Sequence, residues 1–312
     1  MTPAVRVGLI GAGVMGTDHA RTLRDVPGAT LVAVSDVDPA RAAAVGAPVV
    51  DDPLVLIADP GVDAVLIASS DATHEAYVLA ALAAGKPALC EKPLAPSAAA
   101  ARRIVEAEVA LGRRLVSVGF MRRYDPGYVE LRRALTAGDL GDPRLLHCVH
   151  RNVSSPDGFT SSMLITSSAG HEIDVARWLF DDEIVAVTVH RPPRSGDLQD
   201  PQFLILQLAS GVIVDVEVFV NAGYGYDVRC ELVGSRGWAT ASGPVTPDWR
   251  ERFAAAYRHE LQDWVDGVRV GEARGATAWD GYAAAAVAQA GVAALEAGHA
   301  TVELVPKPGL YN

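Results

Sequence analysis

The chain has 312 residues, and its 27 basic side chains against 38 acidic ones give a net charge of −11. Nucleic acids and anionic membrane surfaces would repel most of such a molecule, so we expect neither as a partner. No run reaches the roughly 18 apolar residues of a membrane span, and the first residues lack a signal-peptide pattern, so we expect a cytoplasmic protein.

The cysteine and lysine contents narrow the chemistry further. The three cysteines are an odd number, which favours buried thiols over disulfides. Because they also lack CxxC spacing, we expect no bound metal. The cysteines are Cys90, Cys148 and Cys230. Only Lys86, Lys92 and Lys307 are lysines among the 27 basic residues. A lysine kept in so arginine-rich a chain is a candidate for chemistry of its own.

Residues 5–120 alternate short apolar runs with helical patterns. The predicted strands are Val5–Ile10, Thr30–Ser35, Ala64–Ser69, Pro87–Cys90 and Leu115–Phe120, and the clearest predicted helices are Thr73–Ala84 and Ser97–Leu111. Continuous apolar strands separated by helices indicate a parallel sheet that is covered on both faces. At about 100–200 residues per domain the length predicts two domains, of which the first is a doubly wound α/β domain.

A glycine-rich turn follows the first predicted strand and precedes a helical pattern that runs to about Val26. In Gly11-Ala12-Gly13-Val14-Met15-Gly16, the three glycines allow a tight turn, close approach of a pyrophosphate and close helix packing, while the helix N-terminus receives the phosphate charge. Asp36 ends the second strand and is suited to the adenosine ribose hydroxyls. Because Val37 and Asp38 offer no cation for a 2′-phosphate, we predict NAD rather than NADP.

Polar residues follow two later strands at the edge where this fold binds ligands. We predict cofactor contacts for Ser69, Ser70, His74, Glu91 and Lys92. Two other interpretations stay open here, since Thr73 could cap the next helix and His74 could be a surface residue of its first turn. Lys92, between Glu91 and Pro93, follows a buried strand where a nicotinamide should reach.

The second half has an antiparallel pattern. Residues 203–221 predict a hairpin with a Ser-Gly turn, after which valines at every second position alternate with mixed residues. The valine face should cover helices, and the mixed face could be solvated or could meet a second subunit. Helical patterns follow at about Trp249–Val270 and Trp279–Ala297.

Several of these segments resemble one family. GLIGAGVMG, ALAAGKPALCEKPLA, VGFMRRYDPGY and GHEIDVARWL resemble the Gfo/Idh/MocA family of NAD(P)-dependent oxidoreductases. Within it, LLHCVHRN, FVNAGYGYDVRCELVG and TAWDGYAAA are similar to bacterial myo-inositol 2-dehydrogenases. The resemblance implies an NAD-binding Rossmann domain at residues 1–121. It also implies, at residues 122–312, a substrate-binding α/β domain with a large open antiparallel sheet that forms a homotetramer, while its late helices can pack back on the first domain.

The resemblance also implies the chemistry, which is oxidation of a ring hydroxyl of a cyclitol with hydride transfer to NAD. It assigns Lys92 to the substrate hydroxyl and His171 to acid/base catalysis, with a carboxylate four residues before the histidine. A base of near-neutral pKa and a neighbouring ammonium suit this reaction. The remaining implied substrate contacts are Arg122, Asn152, Asp174, Tyr224 and Tyr226. Arg122 and Arg123 could also be a solvated pair, and the tyrosines could serve mainly in sheet packing.

Ser167 stands where the inositol dehydrogenase pattern has Asp. A serine hydroxyl orients a proton but carries no charge, unlike a carboxylate. In one interpretation Ser167 or Ser168 caps the helix of His171 and Asp174 takes over part of the electrostatic role. In a second, the substrate is another polyol, such as scyllo-inositol, an aminocyclitol or a pyranose. In a third, activity is lost and the protein is a non-catalytic NAD-sensing binding protein.

Overall fold

The computed structural model describes residues 3–193 and 198–312. The strands are β1 (Val5–Ile10), β2 (Ala29–Ser35), β3 (Ala64–Ile67), β4 (Ala88–Glu91), β5 (Val116–Gly119), β6 (Pro143–Arg151), β7 (Ile184–His190), β8 (Gln202–Leu208), β9 (Ile213–Phe219), β10 (Asp227–Gly234), β11 (Trp238–Ala241), β12 (Ala276–Thr277) and β13 (His299–Thr301). The α-helices are α1 (Val14–Leu23), α2 (Pro39–Val45), α3 (Pro53–Ala58), α4 (Asp71–Ala83), α5 (Ala98–Leu111), α6 (Pro126–Thr136), α7 (Gly170–Phe180), α8 (Trp249–Val270) and α9 (Ala278–Ala297).

The described chain divides into two compact units. The first contains the chain up to Met121 together with Tyr257–Tyr282 and Pro306–Asn312, and the second contains Arg122–Ala256 and Ala283–Val305. Helices α8 and α9 each contribute residues to both units.

The first unit contains a six-stranded sheet with the order β12-β5-β4-β3-β1-β2. Strands β1 to β5 are parallel, and only the short β12 pairs antiparallel with β5. A single parallel bridge between Val34 and Val49 extends the sheet beyond β2. Because the strand order reverses between β1 and β3, the carboxyl ends of these two strands border the crevice that binds ligands in doubly wound folds.

Local sequence signals explain the elements around this sheet. Every residue of β3, β4 and β5 is buried, which confirms the prediction of a sheet covered on both faces. Helix α5 begins after Ser97, whose side chain accepts the Ala100 backbone N–H at 3.2 Å, and it ends at Gly112 in the left-handed conformation. Helix α1 ends at Leu23, one turn earlier than the pattern to Val26 predicts.

The second unit contains a seven-stranded sheet with the order β11-β10-β6-β9-β8-β7-β13. All neighbouring strands are antiparallel except β6 and β9, which run parallel. The predicted hairpin is formed by β8 and β9. The sheet is therefore the large, mostly antiparallel sheet that was predicted, with one parallel pair at its centre.

The two faces of this sheet differ as the valine pattern predicts. Its buried face includes Val212, Val214, Val216, Val218 and Val220. The opposite face leaves Phe203, Ile213 and Trp238 exposed, with 65% of Trp238 accessible to solvent. The three cysteines are free and buried, as predicted. Among the described residues, no helix is both long and apolar enough to cross a membrane.

Candidate active site

The glycine-rich turn between β1 and α1 has the geometry of a pyrophosphate site. Gly11 has a φ of +93°, and a Cβ there would lie 2.5 Å from the Ala68 carbonyl oxygen. A Cβ at Gly16 would overlap the Gly11 carbonyl oxygen. Gly13 precedes α1, and no atom of the described chain beyond the adjacent residues lies within 4 Å of the position that a Cβ would take there. This side of the turn is therefore open to a ligand.

The helix start completes the phosphate site. The first backbone N–H groups of an α-helix have no partner within the helix and carry the positive end of its dipole. In α1 these include the N–H groups of Val14, which is exposed, and Met15, which is half-buried. The residues present therefore fit the pyrophosphate of a dinucleotide.

Asp36 is held beside this turn by two backbone hydrogen bonds. Its Oδ2 accepts the Ala12 N–H at 2.6 Å, and its Oδ1 accepts the Asp38 N–H at 2.8 Å. Each carboxylate oxygen keeps a further lone pair for a ribose hydroxyl. Asp36 lines a cleft of about 350 Å³ together with Gly11, Gly13, Ser69 and Ser70. The structure thus brings five of the predicted cofactor residues to one cleft.

Arg41 also lines this cleft, although it was not among the residues predicted from the sequence. It lies in α2 and forms an ion pair with Asp38, with 3.4 Å between Arg41 Nε and Asp38 Oδ2. The signal was a cation five residues after Asp36, in the first turn of a helix that begins at Pro39. The residues directly after Asp36 supply no cation, but this wall of the cleft does.

The structure contradicts both interpretations that were left open for the residues after β3, a capping role for Thr73 and a surface position for His74. Helix α4 begins at Asp71 after Ser70, so Thr73 is not its cap and instead donates to the Ser70 carbonyl oxygen at 2.7 Å. His74 is buried rather than on the surface, with 1% of its area exposed. Its Nδ1 lies 2.7 Å from the Pro93 carbonyl oxygen and its Nε2 lies 3.1 Å from that of Ser69.

Glu91 ends β4 at the same edge of the sheet, and Lys92 follows it directly. Glu91 Oε1 lies 2.7 Å from His19 Nε2, and Oε2 accepts the Lys92 backbone N–H at 3.1 Å. Burial opposes ionisation of Glu91, but the hydrogen bond and charge of His19, together with Lys92, hold its pKa below the ordinary value. Lys92 is half-buried, and the Lys92–Pro93 peptide bond is cis.

In the second unit, His171 is buried in the first turn of α7. A π-helix at Leu164–Ser168 runs into this helix, and the Ala169 N–H donates to the Leu164 carbonyl oxygen at 2.9 Å. The residue before α7 is Ala169, and Ser167 and Ser168 lie in the π-helix rather than at the capping position, so the capping interpretation is wrong. Ser167 is half-buried in the π-helix, a type of distortion that is frequent at functional sites.

Asp174 lies one turn after His171 and is almost completely buried. Arg123 binds its carboxylate with two hydrogen bonds, at 2.9 Å from Nε and 2.5 Å from Nη2. Arg122 is buried too, so the interpretation of a solvated arginine pair is wrong. Arg123 thus compensates the charge of Asp174, a role that was not predicted from the sequence.

Arg122, Glu172 and His150 form a buried cluster under α7. Arg122 Nη1 donates to Glu172 Oε1, while Glu172 Oε2 lies 3.0 Å from His150 Nδ1. Burial opposes ionisation of Glu172, but the charges and hydrogen bonds of Arg122 and His150 outweigh it and lower its pKa to about 2. The Tyr226 ring meets His150 edge to face at 6.1 Å, and Arg122 is 1% exposed. A ligand contact by Arg122 stays a prediction.

Asn152 directly follows β6, and Tyr224 contacts Arg151, the last residue of that strand. Asn152 is half-buried, and its N–H donates to the Phe219 carbonyl oxygen at 2.9 Å. Tyr224 is 59% exposed, and its hydroxyl accepts a hydrogen bond from Arg151 at 2.9 Å. Because neighbouring residues of a strand point to opposite faces, Arg151 and Tyr224 lie on the other face of β6 from His150 and Tyr226. The structure therefore separates the two tyrosines.

Comparisons with models of protein families show which family the chain belongs to. The model of an oxidoreductase family with an NAD-binding Rossmann fold, GFO/IDH/MocA, matches residues 5–120, and the C-terminal domain model of the same family matches residues 128–240. The chain belongs to the GFO/IDH/MocA family. Its first domain is an NAD-binding Rossmann domain, and the predictions of an oxidoreductase and of NAD as its cofactor are confirmed.

The relatives share the whole length of the chain. A protein of Saccharopolyspora erythraea named inositol 2-dehydrogenase 1 is 55% identical over 99% of both chains. An inositol 2-dehydrogenase of Paracoccus denitrificans is 48% identical, with 98% of this chain and 99% of the relative covered. Among solved structures, a myo-inositol dehydrogenase of Lactobacillus casei in complex with NAD(H) and myo-inositol has a TM-score of 0.94 and 35% identity, covering 99% of this chain and all of that one.

Proposed function

We propose that the protein is an NAD-dependent inositol 2-dehydrogenase. The observation that carries the proposal is the whole-length similarity to proteins of that name, in a chain that keeps the motifs of Lys92 and His171. Asp36 supports NAD as the cofactor, since its carboxylate suits ribose hydroxyls and repels a 2′-phosphate. We further propose that residues 1–121 bind the cofactor and supply Lys92, while residues 122–312 supply the remaining substrate contacts.

Lys92 and His171 divide the work on the hydroxyl that is oxidised. When bound, NAD would supply the acceptor for the hydride of the alcohol carbon. Hydride departs from that carbon only as the hydroxyl proton leaves, so a base must take the proton, and we assign this to His171. The Lys92 ammonium stabilises the negative charge that develops on the oxygen. The hydrogen bond from its N–H to the Glu91 carboxylate fixes the backbone of Lys92, and the first turn of a buried helix fixes His171.

Ser167 and Asp174 set the electrostatics next to His171. Ser167 supplies no charge four residues before the histidine, and the Asp174 carboxylate is compensated by Arg123. The histidine therefore has less negative charge around it than the inositol dehydrogenase pattern provides. We propose that this changes which ring is accepted, so that scyllo-inositol, an aminocyclitol or a pyranose is an alternative substrate to myo-inositol.

The test is NADH formation across a panel of inositol isomers, aminocyclitols and aldoses. The proposal expects turnover of at least one inositol. Ser167→Asp should favour myo-inositol over the other substrates, and Ser167→Asn, which adds similar volume without charge, is the matched control. Tight NAD binding without turnover of any member of the panel would contradict the proposal and favour an NAD-sensing binding protein.

We also propose a cytoplasmic homotetramer. Free buried cysteines suit a reducing compartment. The exposed Phe203, Ile213 and Trp238 on the open face of the seven-stranded sheet support subunit contacts through this face, because large apolar side chains grouped on a surface usually meet a partner. Light scattering after size-exclusion chromatography tests this. Ile213→Glu should dissociate the tetramer, whereas Lys307→Glu should leave it intact, and a monomeric wild-type protein would contradict the proposal.

A further inference from the structure

We infer that His19 and His74 are positioning residues that hold Lys92 from both sides, through Glu91 on one side and Pro93 on the other. The inference rests on the proposed function, in which Lys92 stabilises the charge that develops on the substrate oxygen. All of the residues involved belong to the first compact unit. Neither histidine itself touches substrate in this proposal.

On the N-terminal side of Lys92, the Glu91 carboxylate connects two elements. One oxygen lies 2.7 Å from His19 Nε2 in α1, and the other accepts the backbone N–H of Lys92 at 3.1 Å. The side chains of His19 and Glu91 are 2% and 9% exposed, so water does not compete for these bonds. The dinucleotide-binding helix is thus linked to the backbone of Lys92 by a single carboxylate.

The neighbouring strand leaves room for this carboxylate. Glu91 pairs with Gly119 of β5, and a Cβ at Gly119 would come within 3.1 Å of Glu91 Oε2. The His19 ring is also held from another side, since it meets the Tyr257 ring nearly perpendicularly at 5.7 Å. Packing therefore restricts both members of the His19–Glu91 pair to one arrangement.

On the C-terminal side of Lys92, His74 binds the carbonyl oxygen of Pro93. Nδ1 of the ring lies 2.7 Å from that oxygen, and Nε2 lies 3.1 Å from the carbonyl oxygen of Ser69 at the end of β3. A carbonyl oxygen only accepts hydrogen bonds and a neutral histidine ring carries one N–H, so we assign that proton to Nδ1, which makes the shorter contact, to Pro93. His74 thereby ties the segment after β4 to helix α4.

The two contacts act on the residues directly before and after Lys92. With both neighbours fixed, the ammonium moves only through rotations of its own side chain. Displacements of about 1 Å in a catalytic group lower turnover by about 100-fold. His19 and His74, which are distant in sequence, therefore preserve the position of the Lys92 ammonium by fixing the residues on either side of Lys92.

Conservative variants test each hydrogen bond separately. The amide nitrogen of glutamine mimics Nε2 of histidine, and that of asparagine mimics Nδ1. His19→Gln should keep the bond to Glu91, whereas His19→Leu should lower kcat by about 10- to 100-fold. At position 74, asparagine should keep the bond to Pro93 and most of kcat, while glutamine and leucine should not. His190→Leu, an exposed histidine in the second unit, is the matched control.

The readouts separate positioning from folding and from cofactor affinity. The inference expects kcat to fall in the leucine variants. The Kd of NADH, measured by fluorescence titration, and the KM of the inositol should each change by less than about 2-fold. This combination is expected when the lost contact acts through Lys92 in the transition state. In a Lys92→Ala background, His19→Leu should cause no further loss, because the group that it positions is gone.

Different outcomes overturn the two proposals. If Lys92→Ala leaves turnover unchanged, the proposed function of Lys92 is wrong. If Lys92→Ala lowers turnover but His19→Leu and His74→Leu change only the thermal midpoint, or lower kcat equally with and without Lys92, the positioning role is wrong. If a leucine variant does not fold, the comparison of asparagine with glutamine at position 74 decides, and equal kcat values would overturn the inference.

Discussion

Arg123 donates two hydrogen bonds to the buried carboxylate of Asp174, from Nε to Oδ2 at 2.9 Å and from Nη2 to Oδ1 at 2.5 Å. The side chains are 11% and 1% exposed, so the loss of one partner leaves the other as a buried charge. Such losses cost about 3 kcal/mol or more. We predict that Arg123→Leu lowers the free energy of unfolding by about this amount, measured by urea titration.

The matched control is Arg133→Leu, which removes an exposed arginine paired with Glu130 on the surface. Exposed ion pairs contribute little to stability, so this variant should unfold at the wild-type urea concentration. An Arg123→Leu protein as stable as the control would show that the pair with Asp174 does not stabilise the fold.

Asp36 should set the preference for NAD over NADP. Hydrogen bonds to a charged group contribute enough for their loss to weaken NAD binding by about 10- to 100-fold in Asp36→Ala. The same variant should gain affinity for NADP, because it removes the carboxylate that repels a 2′-phosphate while Arg41 remains on the cleft wall. Calorimetric titration with both cofactors measures the two changes.

Arg41 provides the control for this second effect. Asp36→Ala combined with Arg41→Ala should lose the gain in NADP affinity while NAD binding stays as weak as in the single variant. NADP binding that is the same in the wild type and in Asp36→Ala would show that the carboxylate does not select the cofactor.

Glu172 should make stability depend on acidic pH. Its pKa is lowered from 4.5 to about 2 in the folded protein, so the ionised carboxylate favours the folded state. The resulting stabilisation is complete above about pH 4.5 and is lost as the pH falls through about 2. At about 1.4 kcal/mol for each pH unit between the two values, it amounts to roughly 3 kcal/mol.

We therefore predict that Glu172→Gln lowers the free energy of unfolding at pH 7 and flattens its decline between pH 4.5 and 2. Urea titrations at a series of pH values measure both effects. Glu106→Gln, which changes a surface carboxylate, should reproduce the wild-type curve. If Glu172→Gln declines as steeply as the wild type over this range, Glu172 does not carry the pH dependence.

Features that depend on neighbouring residues were predictable from the sequence. Strand β1 has the predicted bounds, and the bounds of α5 follow from Ser97 and Gly112. The glycine-rich turn needs no distant partner either, because a φ of +93° at Gly11 and the close approach at Gly16 are properties of the turn itself. Cofactor binding was predictable for the same reason.

Features that depend on distant contacts were not predictable. His74 follows a helix start and has the local pattern of a surface residue, but its partner Pro93 is 19 residues away. Arg123 and Asp174 are 51 residues apart. The parallel pairing of β6 with β9 is equally non-local. Neither periodicity nor composition reports which side chains a fold brings together, so the buried charge pairs around His171 became visible only in three dimensions.

The turnover of Lys92→Ala tests the central claim most directly. Initial rates of NADH formation with the best inositol of the panel should fall by about 100-fold or more relative to the wild type, as for the loss of a group that acts in the transition state. The Kd of NADH should stay within about 2-fold of the wild-type value under this account. Wild-type turnover in Lys92→Ala, with the same substrate and at the same pH, would contradict the mechanism.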